Sequence, residues 1–294
     1  MIGKIEIVRS VRAMQADAGR RRRDGRRIVL VPTMGALHDG HLALVQEGLK
    51  HGDDLTVSIF VNPTQFGPGE DFGRYPRNLD RDIALLESIA AEVTLFAPDE
   101  EEMYPGGREA NVTWITVNEL DEHLCGPHRP GHFRAVATVV AKLFNACRPQ
   151  VAVFGLKDAQ QFVILRRMVR DLHFDVEMVG VPTSRHEDGL ARSSRNAYLN
   201  GEERGQAVAL SQAVFKAEQL VREGESEVET VVQSMRRTLE QAPTASIQYA
   251  EVVDAETLQP LDRIDPGRHV LAAVAAVFRG TRLIDNVFVR APVD

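Results

Sequence analysis

His38 and His41 fall three residues apart, with Asp39 and Gly40 between them and Pro32-Thr33-Met34-Gly35-Ala36-Leu37 ahead of them. Imidazoles at that spacing share one side of a helix. At its amino-terminal end they join unpaired backbone N–H groups and the positive end of the helix dipole. Such a mouth binds anions, phosphate above all. Two bland readings compete. A His-x-x-His pair can ligate a metal, but the Glu that a zinc hydrolase carries after its first His is Asp39 here and Gly40 follows, which suits that chemistry poorly. Plain helix capping is the other.

Two further stretches carry groups of the same kind. Gly155-Leu156-Lys157-Asp158 stands between an apolar run at residues 151–154 and a helical pattern over 159–172. There Lys157 can supply charge to phosphate oxygens, Asp158 can cap the helix and Gln161 can turn its amide toward a hydroxyl. Taken alone, Lys157 reads as a surface lysine. The polar stretch 188–196 offers Ser193 and Ser194 as donors to phosphate oxygens and Arg195 as a charge against a departing pyrophosphate. Taken alone, it also reads as a capped turn.

The elements that must position these groups follow from periodicity. Ile28, Val29, Leu30 and Val31 form a continuous apolar run suited to a buried strand, and Leu42, Leu44, Val45 and Leu49 recur at helical spacing. Pro32 disfavours helix at Val31, while Gly35 and Gly40 permit a tight turn between the two. Residues 55–61 are a second strand, so the His-bearing helix joins parallel neighbours with a right-handed crossover. The Pro- and Gly-rich residues 62–69 then occupy the place of a ligand loop. Helices are expected over 8–19, 78–92, 133–147 and 159–172, with strands over 93–96, 111–117, 151–154 and 176–181 and a short helix capped by Asn118. That alternation predicts an α/β fold, a doubly wound parallel sheet. After Thr183 the pattern changes to a helix after Asn200, carrying Ala207, Leu210, Val214, Ala217 and Leu220, and a second over 227–241. Strands are expected over 247–253, 269–278 and 283–289. The reading is a domain of residues 1–183 and a smaller C-terminal α+β domain of 184–294 with a short antiparallel sheet.

Composition bounds the function. A chain of 294 residues, 44% apolar and 26% charged, can bury a sizeable core. A net charge of −7 argues against a nucleic-acid-binding body. Residues 20–27 hold six arginines, which could meet an acidic partner but read more simply as a solvated helix end and turn. Cys125 and Cys147 form no framework, residues 1–6 carry no signal-like apolar core and no run is long enough to span a bilayer, so a reducing, cytoplasmic protein without membrane contact is expected. Walker-type and Gly-x-Gly-x-x-Gly loops are absent, which disfavours a P-loop ATPase or a dinucleotide oxidoreductase.

The spacing His-x-Gly-His between strand and helix resembles the phosphate-gripping signature of nucleotidylyltransferases and class I aminoacyl-tRNA synthetases. The flanking residues narrow it. Residues 31–42, 59–67, 155–161 and 188–199, with Arg129-Pro130-Gly131-His132-Phe133-Arg134, resemble in order the motifs of the pantoate–β-alanine ligase family. The resemblance implies a Rossmann-like sheet with a C-terminal lid domain. It implies ATP as substrate with Mg²⁺, and a two-step condensation of pantoate with β-alanine through a pantoyl adenylate. It further implies that Met34, Gly35, Ala36, Leu37, His38, Asp39, Gly40 and His41 line the ATP site, with Gly155, Leu156, Lys157, Asp158, Ser184, Arg192, Ser193, Ser194 and Arg195. His38, His41, Lys157, Ser193, Ser194 and Arg195 would carry the charge-handling chemistry. Gln65 and Gln161 would hold pantoate hydroxyls, Gln65 would also lie near β-alanine, and Asn62, Tyr75 and Arg129 would order that pocket. No carboxylate cage for Mg²⁺ is visible, so phosphates and water would hold it. The family is commonly a homodimer. Leu156, Ala159, Arg192 and Ser184 depart from the usual Glu, Tyr, aliphatic or Met, and Val, which bears on nucleotide packing. Rival readings are a nucleotidyl transfer to a phosphate ester, against which the neutral Gln65 and Gln161 argue, and a non-catalytic nucleotide-binding protein.

Overall fold

Ile28, Val29, Leu30 and Val31 are fully buried, and sheet strands pair with them on both sides. The computed structural model describes residues 4–90 and 92–293; residues 1–3 of the amino-terminal run and Ala91 of the expected 78–92 helix lie outside the described residues. The chain forms two compact units, one of Met1–Val117, Pro130–Leu156 and Ile164–Pro182, the other of Asn118–Arg129, Lys157–Val163 and Thr183–Asp294.

In chain order the first elements are β1 (Lys4–Val8), α1 (Val11–Arg23), β2 (Ile28–Thr33), α2 (Asp39–Gly48), β3 (Asp54–Ile59), α3 (Leu79–Glu87), β4 (Glu92–Phe96) and α4 (Glu100–Met103). They are followed by α5 (His132–Cys147), β5 (Val151–Gly155), α6 (Ala159–Asp171) and β6 (Glu177–Val181). The six strands make one parallel sheet in the order β1-β4-β3-β2-β5-β6. From β2 the order runs one way through β3 and the other way through β5. These two neighbours therefore flank the switch point, beyond whose carboxyl ends ligands gather in such sheets. Val29, Val31, Leu44, Val45, Val57, Leu86, Leu95 and Val153 belong to one buried cluster, in keeping with the unbroken apolar runs of a parallel sheet covered on both faces.

The second unit holds α7 (Gly201–Gln206), α8 (Ala209–Arg222), α9 (Val228–Leu239), β7 (Ala245–Asp254), β8 (His269–Phe278) and β9 (Thr281–Arg290). Its strands form an antiparallel sheet ordered β7-β8-β9. Leu210, Val214, Val221, Val231, Met235 and Leu239 from the helices meet Val252, Val270, Val274 and Phe278 from the sheet in a core of their own. The architecture is thus the expected parallel α/β sheet with a smaller antiparallel α+β part.

Four local expectations need correction. No strand forms over 111–117. Its alternating residues find no sheet partner; the segment instead bonds to α5, Ile115 N–H donating to Thr138 Oγ1 at 2.9 Å and Lys142 Nζ to Asn111 Oδ1 at 2.8 Å. No helix follows Asn118 either, and residues 120–130 run through turns. The helix expected after Asn200 is two, α7 and α8, the first begun by an Asn200–Glu203 capping box. The first helix starts at Val11, where the Ser10 side chain accepts from Ala13 N–H, and β1 precedes it. In the arginine run Arg20, Arg22, Arg23, Arg26 and Arg27 are exposed, as a solvated helix end and turn requires. Arg21 is buried, bonded to Thr94 and paired with Asp17 at 2.7 Å, and Arg26 reaches buried Asp54 at 2.8 Å. Burial pushes the Asp54 carboxyl up against the opposing pull of Arg21 and Arg26.

Candidate active site

The turn between β2 and α2 is fixed from below. Thr33 donates its hydroxyl proton to Ser58 O at 2.7 Å and accepts Gly35 N–H at 3.1 Å. Gly35 and Ala36 then both take positive φ, 78° and 51°. For Ala36 that left-handed conformation costs about 1–2 kcal/mol. Buried Asp82, from the first turn of α3, offsets it by accepting Ala36 N–H at 2.9 Å and Leu37 N–H at 2.8 Å. Burial raises the Asp82 carboxyl above its ordinary range, only partly countered by the Leu37 and Ala36 bonds.

The turn delivers His38 as the cap of α2. Its Nδ1 accepts Gly40 N–H at 3.1 Å, and His41 Nδ1 accepts His38 N–H at 3.3 Å. A backbone N–H can only donate, so both Nδ1 atoms are unprotonated and each neutral ring carries its proton on Nε2. The rings lie 4.1 Å apart, centre to centre, at 38°. Two Nε2–H donors side by side at a helix amino terminus make an arrangement suited to phosphate oxygens.

The loop after β3 adds the amides. Tyr104 O–H donates to Asn62 Oδ1 at 2.9 Å, Asn62 Nδ2 to Gln65 Oε1 at 3.0 Å, and Gln65 Nε2 to Met34 Sδ at 3.1 Å. Each bond sets the orientation of the next amide, so Gln65 presents N–H rather than C=O on the side of the histidine turn. His132 Nδ1 donates to Gln65 O at 2.8 Å and holds the backbone there. Tyr75 is buried with its ring edge against Phe66, 5.8 Å between centres. Met34, His38, His41, Asn62 and Gln65 thus all lie in the first unit, with Gln65 bonded to Met34 at the foot of the histidine turn and Asn62 bonded to Gln65.

The 3₁₀ turn Leu156–Asp158 follows β5 in the chain, and within the second unit Lys157 O accepts from Asn286 Nδ2 of β9 at 2.7 Å. Gln161 is half-buried in the first turn of α6. Its neighbour Gln160 is buried, bonding Leu120 O and His123 O at 2.9 Å each and accepting Cys125 N–H at 2.9 Å, which shapes the turns that end in Arg129. The loop from Ser184 is tied at Arg185 and Ala191 by a β-bridge and at Arg192 N–H, which donates to Ser184 O at 2.9 Å. Arg185 grips the buried Asp285 carboxylate with both nitrogens, at 2.6 and 2.9 Å. Arg192 Nε donates to Arg185 O at 3.2 Å, so this departure from the family pattern takes part in the loop's own bonding. Ser193 Oγ accepts Arg195 N–H and caps the 3₁₀ turn Ser194–Tyr198. Cys125 and Cys147 are free and buried, and burial pushes the Cys147 thiol up. Among the described residues no group of three or more His, Cys, Asp or Glu side chains could hold a metal ion.

Sequence reasoning missed Asp82, Tyr104, His132, Asp285 and Asn286. Only His132 carried a signal, lying within the quoted Arg129 motif; the others act through contacts distant in sequence, Asp82 at 46 residues from Ala36.

A parallel sheet with a His-x-Gly-His turn at its switch point defines a Rossmann-like protein of the nucleotidylyltransferase and class I synthetase type. The model of the pantoate-beta-alanine ligase family matches residues 6–288, and the chain belongs to that family. The pantothenate synthetase of Salinibacter ruber is 57% identical over 98% of this chain and 99% of its own. The crystal structure of pantothenate synthetase from Thermus thermophilus superposes with a TM-score of 0.88 at 45% identity, covering 96% of this chain and 98% of that one. The Francisella tularensis pantoate-beta-alanine ligase, solved with beta-gamma ATP and beta-alanine, gives a TM-score of 0.77 at 30% identity over 97% of each chain.

Proposed function

We infer that this chain joins pantoate to β-alanine at the expense of ATP, giving pantothenate, AMP and pyrophosphate. The observation that carries the reading is the pair of Nε2–H donors fixed by the two backbone bonds to His38 and His41 Nδ1. In the first step a pantoate carboxylate oxygen attacks the α-phosphorus of ATP and the bond to pyrophosphate breaks. In the second the β-alanine amine attacks the acyl carbon, loses a proton and expels AMP. Both substrates of the first step are anionic, so the site must absorb charge as it builds on phosphate. His38 and His41 do so by donation, joined by Lys157, Ser193, Ser194 and Arg195. Met34 through Gly40, Gly155, Leu156, Asp158, Ser184 and Arg192 accommodate the rest of the nucleotide. Gln65 and Gln161 take pantoate oxygens, and Asn62, Tyr75 and Arg129 order the pocket around them. Mg²⁺ bound with ATP would be held by phosphates and water and would spread their charge. A domain of residues 1–183, a lid of 184–294, a homodimeric state and a cytoplasmic location complete the proposal; among the described residues no helix is long and apolar enough to cross a membrane.

The test is pyrophosphate release from MgATP and pantoate, without and then with β-alanine. Pantoate-dependent release followed by β-alanine-dependent AMP and pantothenate is expected. A stable adenylylated product would instead establish a nucleotidyl transferase, and ATP binding without release a non-catalytic binder.

A further inference from the structure

We propose that Asp82 is a positioning residue for ATP: its carboxylate, reaching from α3, holds the turn before His38 in the shape that binds the nucleotide. The inference rests on the reading of that turn as the ATP site. Three observations support it. Both Asp82 oxygens are used, one on Ala36 N–H and the other on Leu37 N–H, at 2.9 and 2.8 Å. Neither amide belongs to a strand or helix, and Ala36 has the positive φ of 51° that a residue with a Cβ rarely adopts. The turn is also closed against the carboxylate, for a Cβ on Gly35 would lie 3.0 Å from Asp82 Oδ2 and 3.0 Å from Ile59 Cγ2.

A buried carboxylate on which the nearby charge of Arg81 acts only weakly is a costly choice for a purely structural bond. Its geometry explains the choice. Two adjacent N–H groups converge on one side chain, which a carboxylate satisfies with two acceptor oxygens and an amide with only one. The clamp determines where the next residue starts, and that residue is His38, whose own N–H donates to His41. Asp82 therefore reaches both imidazoles through backbone alone, and α3 is the element that carries it.

The experiment is MgATP binding by calorimetry to the full chain and to Asp82→Asn and Asp82→Glu, with turnover of supplied pantoyl adenylate and β-alanine measured alongside. Asp82→Asn is expected to weaken MgATP binding about tenfold or more, Asp82→Glu to recover part of that loss, and the second half-reaction to keep its rate. Unchanged MgATP affinity in folded Asp82→Asn, or an equal loss in both half-reactions, would overturn the proposal. Should that variant fail to fold, hydrogen exchange in the unaltered protein decides: slow exchange at Ala36 and Leu37 N–H supports the clamp, and exchange at loop rates rejects it. Binding needs no turnover, so a chain that binds MgATP yet releases no pyrophosphate would refute the ligase reading separately from the role of Asp82.

Discussion

His38 and His41 differ from ordinary surface histidines because the backbone has already used their Nδ1 atoms. A ring locked in one tautomer donates without first reorganising, which is where preorganised donors gain over water. His41→Ala removes both a donor and the acceptor of His38 N–H, so adenylate formation should fall about a hundredfold to a thousandfold while the melting temperature changes little. His41→Asn keeps an acceptor near the Nδ1 position and should recover part of that loss. Pantoate-dependent pyrophosphate release in single turnover measures both; equal rates for the two variants would show that the bond to His38 does not matter. Lys157 presents a parallel case, since Asn286 donates to its carbonyl rather than its side chain. Asn286→Ala should raise KM for ATP several-fold and leave β-alanine use intact, as steady-state kinetics with each substrate varied can read.

Among the elements, those built from local patterns were legible and those built from distant contacts were not. The runs at residues 28–31 and 269–278 declared strands because their apolar residues had one kind of place to go. Residues 111–117 had equal strand character, yet Val112 is 90% exposed and the segment serves α5 with side-chain bonds. Periodicity reports a preference for extended backbone, not the presence of a neighbour to pair with. The site divides the same way. The histidine turn was readable because Gly, Pro and His sit within one motif, whereas Asp82 looked like any acid in the first turn of a helix. The turns between Leu120 and Arg129 carry an equally hidden constraint. A Cβ on Gly126 would fall 1.6 Å from Asp121 O, closer than any side-chain adjustment can relieve. Gly126→Ala must therefore move backbone that Gln160 binds, and should cost about 3 kcal/mol or more of stability, seen as a lowered melting temperature together with weaker pantoate binding through Arg129.

For the molecule as a whole, four acids with shifted titration place the conditions for stability and for activity apart. Arg204 holds the Asp188 carboxyl below its ordinary range. At Asp254 burial pushes upward, but bonds from Thr257, Glu256 and Arg268 outweigh it and the net shift is down. Those two acids add stability that is present above 3.8, the ordinary Asp value, and lost as pH falls through their lowered folded values. Asp54 and Asp82 shift the other way, chiefly through burial. Between 3.8 and their raised folded values the native chain holds protons that the unfolded chain has released, so their contribution is full below that window and declines as pH rises through it. The combined contribution of these four acids is therefore largest near 3.8, falling on the acid side with Asp188 and Asp254 and on the other side with Asp54 and Asp82. Activity needs the ionised Asp82, which alone can accept from Ala36 and Leu37 together, so kcat/KM for ATP should still be rising where the melting temperature has begun to fall. In Asp82→Asn the carboxyl that titrates is gone. Its melting curve should lose part of the decline toward neutral pH, and its weakened ATP use should no longer rise with the ionisation of Asp82. Parallel melting and kinetic profiles of the two proteins test this directly: coincident optima in the unaltered chain, or an unchanged activity profile in the variant, would show that Asp82 does not link the two.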